Sequence, residues 1–266
     1  MRRYLAFSIF LLITCLGCQK VFDFPETGKY QKIPVIEAII TNQSDYQRVR
    51  VSYAVQFDDS LSSEPITGAL VKIIDVAGDT VRFRYSENGW YITNSFVALP
   101  ENTYSLLVQI DTVVYHASSM MVPMHGLDSL SYTFYKKVNT SDSAYYLKGF
   151  AGTTDPDNPK YYQIQIYKNH KLCTTGSNTV LFTDIATLSL NGVELNQGFA
   201  KNDTLDVELY SLTKEMFYYY AYIFNNILYN GNFDLDFKTN PPIQFNPKAL
   251  GYFQVSALSR KSIVMH

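Results

Sequence analysis

From Ile33 onward, strand-length segments alternate with turn signals about every 8–12 residues, and this spacing constrains the fold more than any single motif. Residues 35–40 are an apolar run broken only by Glu37, as in a strand covered on both faces. Arg48-Val49-Arg50-Val51 alternates, so the valines point to a core and the arginines to water. Residues 69–75 read as another buried run, and Gly78 marks the turn after it. Residues 80–85 then place Val81, Phe83 and Tyr85 on one face and Thr80, Arg82 and Arg84 on the other. Asn88-Gly89 is a hairpin signal leading into residues 90–93, with Trp90 in the core or on a sheet face. Residues 104–110 and 113–117 close a hairpin around Asp111-Thr112. About seven strands over residues 33–121 predict an N-terminal immunoglobulin-like sandwich.

Pro123 and Gly126 mark a boundary over residues 122–127. Residues 127–266 read as a second β-sandwich-like domain carrying one α-helix. Its strands are expected at 129–136, 144–151, 161–167, 180–182, 205–209, 251–258 and 262–264. Turns are expected at Asp155-Pro156-Asp157-Asn158-Pro159, Asn191-Gly192 and Asn202-Asp203. With 22 Tyr and 17 Phe, composition also favours strands. The helix is predicted at about 213–229, capped by Thr213 with Glu215 in its first turn and stopped by Asn230-Gly231. Met216, Tyr220, Ile223 and Ile227 form its apolar stripe, widened by Phe217, Phe224 and Leu228. The opposite face carries Tyr218, Tyr222 and Asn225, with no Lys or Arg after Lys214. A helix lying on a membrane surface would want basic residues there, so this one is expected to cover a sheet.

The start of the chain is of a different kind. Arg2 and Arg3 precede an uncharged apolar run over residues 5–16, too short for the roughly 20 residues that span a bilayer. A basic start, a short apolar core and the small residue Gly17 make residues 1–17 a secretory signal peptide. Cys15-Leu16-Gly17-Cys18 resembles the bacterial lipobox, in which the thiol of the last cysteine takes the lipid and becomes the new amino terminus. Cys18 is the expected lipidation site, and residues 18–32, with Pro25 and Gly28, the tether to the membrane. Cleavage there removes Cys15, lipidation occupies Cys18, and Cys173 is left as a packed thiol without a disulfide partner. The formal charge of −2 becomes −4 once Arg2 and Arg3 are gone, with 20 basic residues against 24 acidic ones. So mild a balance argues against nucleic acid as a partner.

No catalytic constellation emerges. His116, His125, His170 and His266 have no zinc spacing, and there is no G-x-S-x-G elbow or Gly-rich phosphate loop. Asp155, Asp157 and Asn158 read as a turn because a calcium loop needs a Gly and a distal Glu, and Asp234 and Asp236 read as solvated charges. No catalytic residue, metal site or cofactor is expected. Tyr145-Tyr146, Tyr161-Tyr162 and Tyr218-Tyr219-Tyr220 place one ring inward and a neighbour outward. Outward aromatics suit interfaces and sugar faces, so the candidate binding surface is Tyr146, Tyr162 and Tyr219. Phe233, Phe237 and Phe245 join them from the long loop over residues 232–247.

In order and spacing, Val35-Ile36-Glu37-Ala38, Gly68-Ala69-Leu70-Val71, Gly89-Trp90-Tyr91 and Thr103-Tyr104-Ser105-Leu106 form a pattern. It continues through Asp155-Pro156, Tyr161-Tyr162, Asn202-Asp203-Thr204-Leu205, the aromatic helix and Ala249-Leu250-Gly251-Tyr252-Phe253. Together they resemble the Bacteroidota lipoprotein family known as domain of unknown function 4249. The resemblance implies an outer-membrane lipoprotein, often encoded beside a TonB-dependent transporter, with no established catalytic residues. Only Asp23 is acidic among residues 19–23, which leaves cell surface and periplasmic face both open. Asp59-Ser60, Asp128-Ser129 and Asp142-Ser143 resemble the O-glycosylation motif of the same bacteria. The expected function is a non-catalytic binding or accessory subunit for such a transporter in nutrient uptake. A stand-alone adhesin or glycan-binding module is the alternative, and a hydrolase with an unrecognised site a weaker one.

Overall fold

The computed structural model describes residues 32–45, 47–55, 63–137, 142–151, 160–174, 180–183, 193–228 and 241–266. The expected signal peptide, Cys18, nearly all of the expected tether, Asp59-Ser60, the expected turn from Asp155 to Pro159, Asn191-Gly192, Phe233, Asp234, Asp236 and Phe237 lie outside them. Ile33–His266 forms one compact, mainly β unit.

The first half supplies β1 (Pro34–Thr41), β2 (Gln47–Tyr53), β3 (Leu70–Ile74), β4 (Thr80–Tyr85), β5 (Trp90–Thr93), β6 (Thr103–Ile110) and β7 (Val113–Met120). They form an eight-stranded sheet in the order β15-β1-β2-β5-β4-β3-β6-β7, whose first member, β15 (Leu250–Ser256), comes from the far end of the chain. The sheet curls around one core. Ile36, Ala38, Ile40, Val49, Val51, Ile73 and Leu106 are fully enclosed together, and the two edge strands, β15 and β7, come back into contact. The hairpin signals hold in detail. Asn88 and Gly89 both take positive φ, 48° and 80°, as the tight β4–β5 turn requires, and Asp111 does so at 52° between β6 and β7.

β15 pairs parallel with β1, Gly251 beside Ile36 and Phe253 beside Ala38, so the predicted boundary over residues 122–127 is crossed by a returning strand. The approach is very close. Gly251 has φ +102°, and a Cβ there would stand 1.9 Å from the Ile36 carbonyl oxygen. Just before β15, Asn246 exchanges two 2.9 Å backbone hydrogen bonds with His116 on β7, and Phe245 fills the same core, 3% exposed.

The second half supplies β8 (Leu127–Tyr135), β9 (Ala144–Ala151), β10 (Tyr161–Lys168), β11 (Lys171–Leu172), β12 (Val180–Thr183), β13 (Val193–Phe199), β14 (Thr204–Leu212) and β16 (Leu258–Val264). A sheet ordered β11-β10-β14-β16, with β12 also paired to β10, faces a three-stranded sheet ordered β13-β9-β8. Leu147, Ile164, Ile166, Leu205, Val207 and Leu209 fill the space between them. Strand β13 was not expected, because Glu194, Asn196, Gln197 and Gly198 hide its period, and its pairing with β9 shifts register between Glu194 and Gly198. Helix α1 (Lys214–Leu228) begins as predicted. Thr213 Oγ1 accepts the Met216 N–H at 3.2 Å, a cap worth about 1 kcal/mol. Met216, Tyr219 and Tyr220 bury their side chains with Leu212, and Tyr252 packs against them.

A buried polar chain joins the two halves beneath the helix. The Tyr220 hydroxyl donates to Gln254 Oε1 at 2.6 Å, and Gln254 Nε2 donates to Ser256 Oγ at 2.7 Å. Ser256 Oγ in turn donates to the Ser211 carbonyl, while Ser211 Oγ accepts the Ala257 N–H at 2.9 Å. Buried polar atoms cost stability unless paired, and this row is paired throughout.

Candidate functional site

Strand alternation that fills two cores also creates two polar faces. On β1 and β2, Ile36, Ala38, Val49 and Val51 point inward, so Glu37, Arg48 and Arg50 point out, with Trp90 from β5 beside them. On β10 and β14, Ile164, Ile166, Val207 and Leu209 point to the second core. That leaves Gln165, Tyr167, Glu208 and Tyr210 on the other side, extended by Arg260 from β16. Register places Gln165, Glu208 and Arg260 in one row across three strands.

The two polar faces line a common cleft of ≈ 440 Å³, with Tyr252 and Leu258 also in its wall. The walls are tied at one end. Arg260 Nη1 donates to Asp45 Oδ2 at 2.8 Å and Arg260 Nε to Glu208 Oε1 at 2.7 Å. Nearby, Asn42 Oδ1 accepts the Leu258 N–H at 2.8 Å, and Gln43 Nε2 donates to the Leu258 carbonyl at 2.9 Å. Glu208 Oε2 accepts the Tyr210 hydroxyl at 2.6 Å. On the opposite wall Arg50 reaches Glu37 at 3.3 Å and Ser63 Oγ at 2.7 Å. Arg48 lies over the Trp90 ring, 5.9 Å from its centroid.

Burial acts on three phenols of the cleft and on Arg260. Burial, with Glu208 adding to it, pushes the Tyr210 hydroxyl far above its ordinary range. Burial likewise raises Tyr167 and Tyr252, helped by Glu208 and Glu37 respectively. Burial works against the charge on Arg260, but hydrogen bonds to Asp45 and Glu208 outweigh it and hold the guanidinium protonated. At neutral pH Tyr167, Tyr210 and Tyr252 are therefore neutral phenols beside a charged Arg260.

The aromatic binding surface expected from sequence is corrected at every described position. Tyr146, Tyr162, Tyr219 and Phe245 are only 3–6% exposed. Tyr162 shares its face of β10 with Ile164 and Ile166 of the second core, and Tyr161 is its outward neighbour. Tyr146 does lie on the outer face of β9, opposite to Leu147, but the Tyr135 ring at 4.6 Å and the Lys137 ammonium at 4.1 Å cover it. Tyr219 sits on a helix, where alternation does not apply; it follows Met216 by three and is buried with it, leaving Tyr218 outward. The displaced outward rings, Tyr161 and Tyr218, pack with Phe217 beside a broad hollow at the start of α1.

Among the described residues no three His, Cys, Asp or Glu side chains are grouped as metal ligands, and no helix is long and apolar enough to cross a membrane. His170 meets Asp206 at 3.6 Å on an exposed turn. The Cys173 thiol donates to the Ile166 carbonyl at 3.1 Å, and burial raises its pKa, so it stays protonated.

Among known proteins, the chain is distantly similar to solved structures. Chicken CNTN1 FN1-FN3 domains align at 12% identity and TM-score 0.24, over 67% of this chain and 60% of that one. A DUF3823 family protein from Bacteroides uniformis ATCC 8492 aligns at 9% identity and TM-score 0.23, over 89% of this chain and 100% of that one. No curated protein matches significantly. The family model described as Domain of unknown function (DUF4249) matches residues 20–262, most of the chain, and the protein belongs to that family.

Proposed function

We propose that this chain is an outer-membrane lipoprotein that recognises a ligand without transforming it, as an accessory subunit of a TonB-dependent transporter in nutrient uptake. The cleft between β1–β2 and β10–β14 carries the binding half of this reading. It is concave, lined by Trp, Tyr and Arg, and of the size that small-ligand sites occupy. Arg260 and Arg50 are held by Glu208 and Glu37 while Arg48 stacks on Trp90, an arrangement that supports recognition over turnover. The anchoring half rests on the basic start, the apolar run and Gly17-Cys18.

Two measurements test it. Metabolic labelling with a palmitate analogue is expected to mark the parent protein and to miss Cys18→Ser, which should leave the membrane fraction; an unlabelled parent defeats the anchor. Affinity purification from detergent-solubilised membranes is expected to bring down a β-barrel. Its reproducible absence turns the reading towards a stand-alone adhesin or glycan-binding module.

A further inference from the structure

We propose that the cleft binds a small molecule bearing a single carboxylate, with the Arg48 guanidinium as its receptor and Tyr167 and Gln165 as flanking polar contacts. The inference rests on the binding half of the function proposed above and names the ligand chemistry.

Three arginines line the cleft, and two are satisfied. Arg260 lies between Asp45 and Glu208, and Arg50 holds Glu37 and Ser63. Among the described residues Arg48 has no carboxylate within ion-pair distance; its contact is the Trp90 ring. Stacking on an aromatic face orients a planar guanidinium while leaving its N–H edge free to take a carboxylate bidentately. Arg48 stands where the main cleft meets a second hollow of ≈ 390 Å³, and Tyr167 lines both with it.

The remaining groups narrow the ligand. Glu37 is committed to Arg50, and Asp45 and Glu208 both to Arg260, so the three carboxylates balance the three guanidiniums overall and, among the described residues, Arg48 is the one of the three guanidiniums without a carboxylate of its own. A cation would be repelled by Arg48, and a polyanion would meet those three carboxylates. The Tyr167 hydroxyl donates to Gln165 Oε1 at 3.3 Å, which leaves the Gln165 amide NH2 as a donor without a protein acceptor among the described residues. The surplus hydrogen-bonding capacity is thus donor-rich and suits a ligand with acceptor oxygens beside its carboxylate. A volume of ≈ 440 Å³ fits a disaccharide ending in a uronic acid or a short peptide with a free carboxyl terminus, and both carry this chemistry.

The test is calorimetric titration of the full-length protein in detergent with four probes. These are a glucuronic-acid-terminated disaccharide, its methyl ester, trialanine, and trialanine amide. One of the two acids is expected to bind, and masking its carboxylate to weaken binding about ten-fold or more, the scale of a lost charge-assisted pair. Which acid binds distinguishes sugar from peptide. Arg48→Gln, whose exposed position leaves both cores intact, is expected to bind the acid only as well as the parent binds the masked form, with an unchanged melting temperature. Arg48→Lys, which keeps the charge but not the fork, is expected to recover part of the difference. Equal affinity for acid and masked form, undiminished binding by Arg48→Gln, or no binding of either acid at millimolar concentration overturns the proposal. Barrel co-purification is expected to be the same for Arg48→Gln as for the parent. Its loss from both would remove the transporter reading and leave carboxylate binding standing.

Discussion

Replacing Gly251 by Ala tests the physical claim on which the two halves depend, that β15 reaches the first sheet only because its second residue lacks a side chain. At φ +102° an L-residue is strained, a cost of about 1–3 kcal/mol. The added Cβ would also lie 1.9 Å from the Ile36 carbonyl oxygen and 2.6 Å from its carbon, inside any real contact distance and against backbone that is itself hydrogen-bonded in a ladder. Relief requires β15 to lift from β1 locally. Losing two ladder hydrogen bonds adds about 1–3 kcal/mol, giving a total of about 2–6 kcal/mol. In a chain of this size, about 4 kcal/mol lowers the melting temperature by about 8–16 °C.

Gly78→Ala is the matched control, since Gly78 also has positive φ, +89°, but nothing lies within 4 Å of a Cβ there. It carries the conformational cost alone. Thermal unfolding followed by circular dichroism, on full-length protein in detergent, is expected to rank parent, Gly78→Ala and Gly251→Ala in falling stability. The last two should differ by about 2 kcal/mol. If Gly251→Ala melts with Gly78→Ala, the close approach of β15 to β1 is not what Gly251 is for, and the argument fails.

Two further outcomes follow from buried polar groups. Tyr220→Phe removes the donor to Gln254 Oε1 inside the chain that joins β14, β15 and α1, and is expected to cost about 1–3 kcal/mol in a urea titration. At Asp203, burial favours the neutral acid, but the Ala200 N–H, Asn169 and Lys168 together outweigh it and lower the carboxyl pKa below its ordinary 3.8. A lowered folded-state pKa stabilises the protein fully above the unfolded value and loses that contribution as pH falls through the folded one. Asp203→Asn is therefore expected to be less stable than the parent at neutral pH and to converge with it below about pH 4, where an unchanged gap would refute the assignment.

Much of the architecture was legible because it rests on local chemistry. The alternation at Arg48-Val49-Arg50-Val51, the turn at Asn88-Gly89 and the Thr213 cap each follow from residues within a few positions of one another. Strand β13 was missed because its alternation is broken by Gly198 and a register shift. The return of β15 to β1 was missed because parallel pairing between residues far apart in sequence leaves no local trace. The aromatic pairs failed for a narrower reason. Adjacent Tyr residues show that one ring faces each way, but only their phase with Ile164 and Ile166, or with Met216 on the helix, says which.

That distinction between face and phase also explains why the cleft went unread. Period-two patterning tells whether a residue faces a core, and it treats every other residue as facing water. Here the face bearing Arg48, Arg50 and Trp90 and the face bearing Gln165, Tyr167 and Tyr210 are both outer faces of their own sheets, yet they line one cleft. The Asp45–Arg260 pair holds them together at one end. A solvated strand face needs only charge and solubility; these two carry Trp, Tyr and Arg, the residue types that dominate recognition surfaces. The signal available in sequence was thus the composition of the polar phase of strands 47–53 and 161–168. Its meaning depended on the contact between distant strands that only the fold supplies.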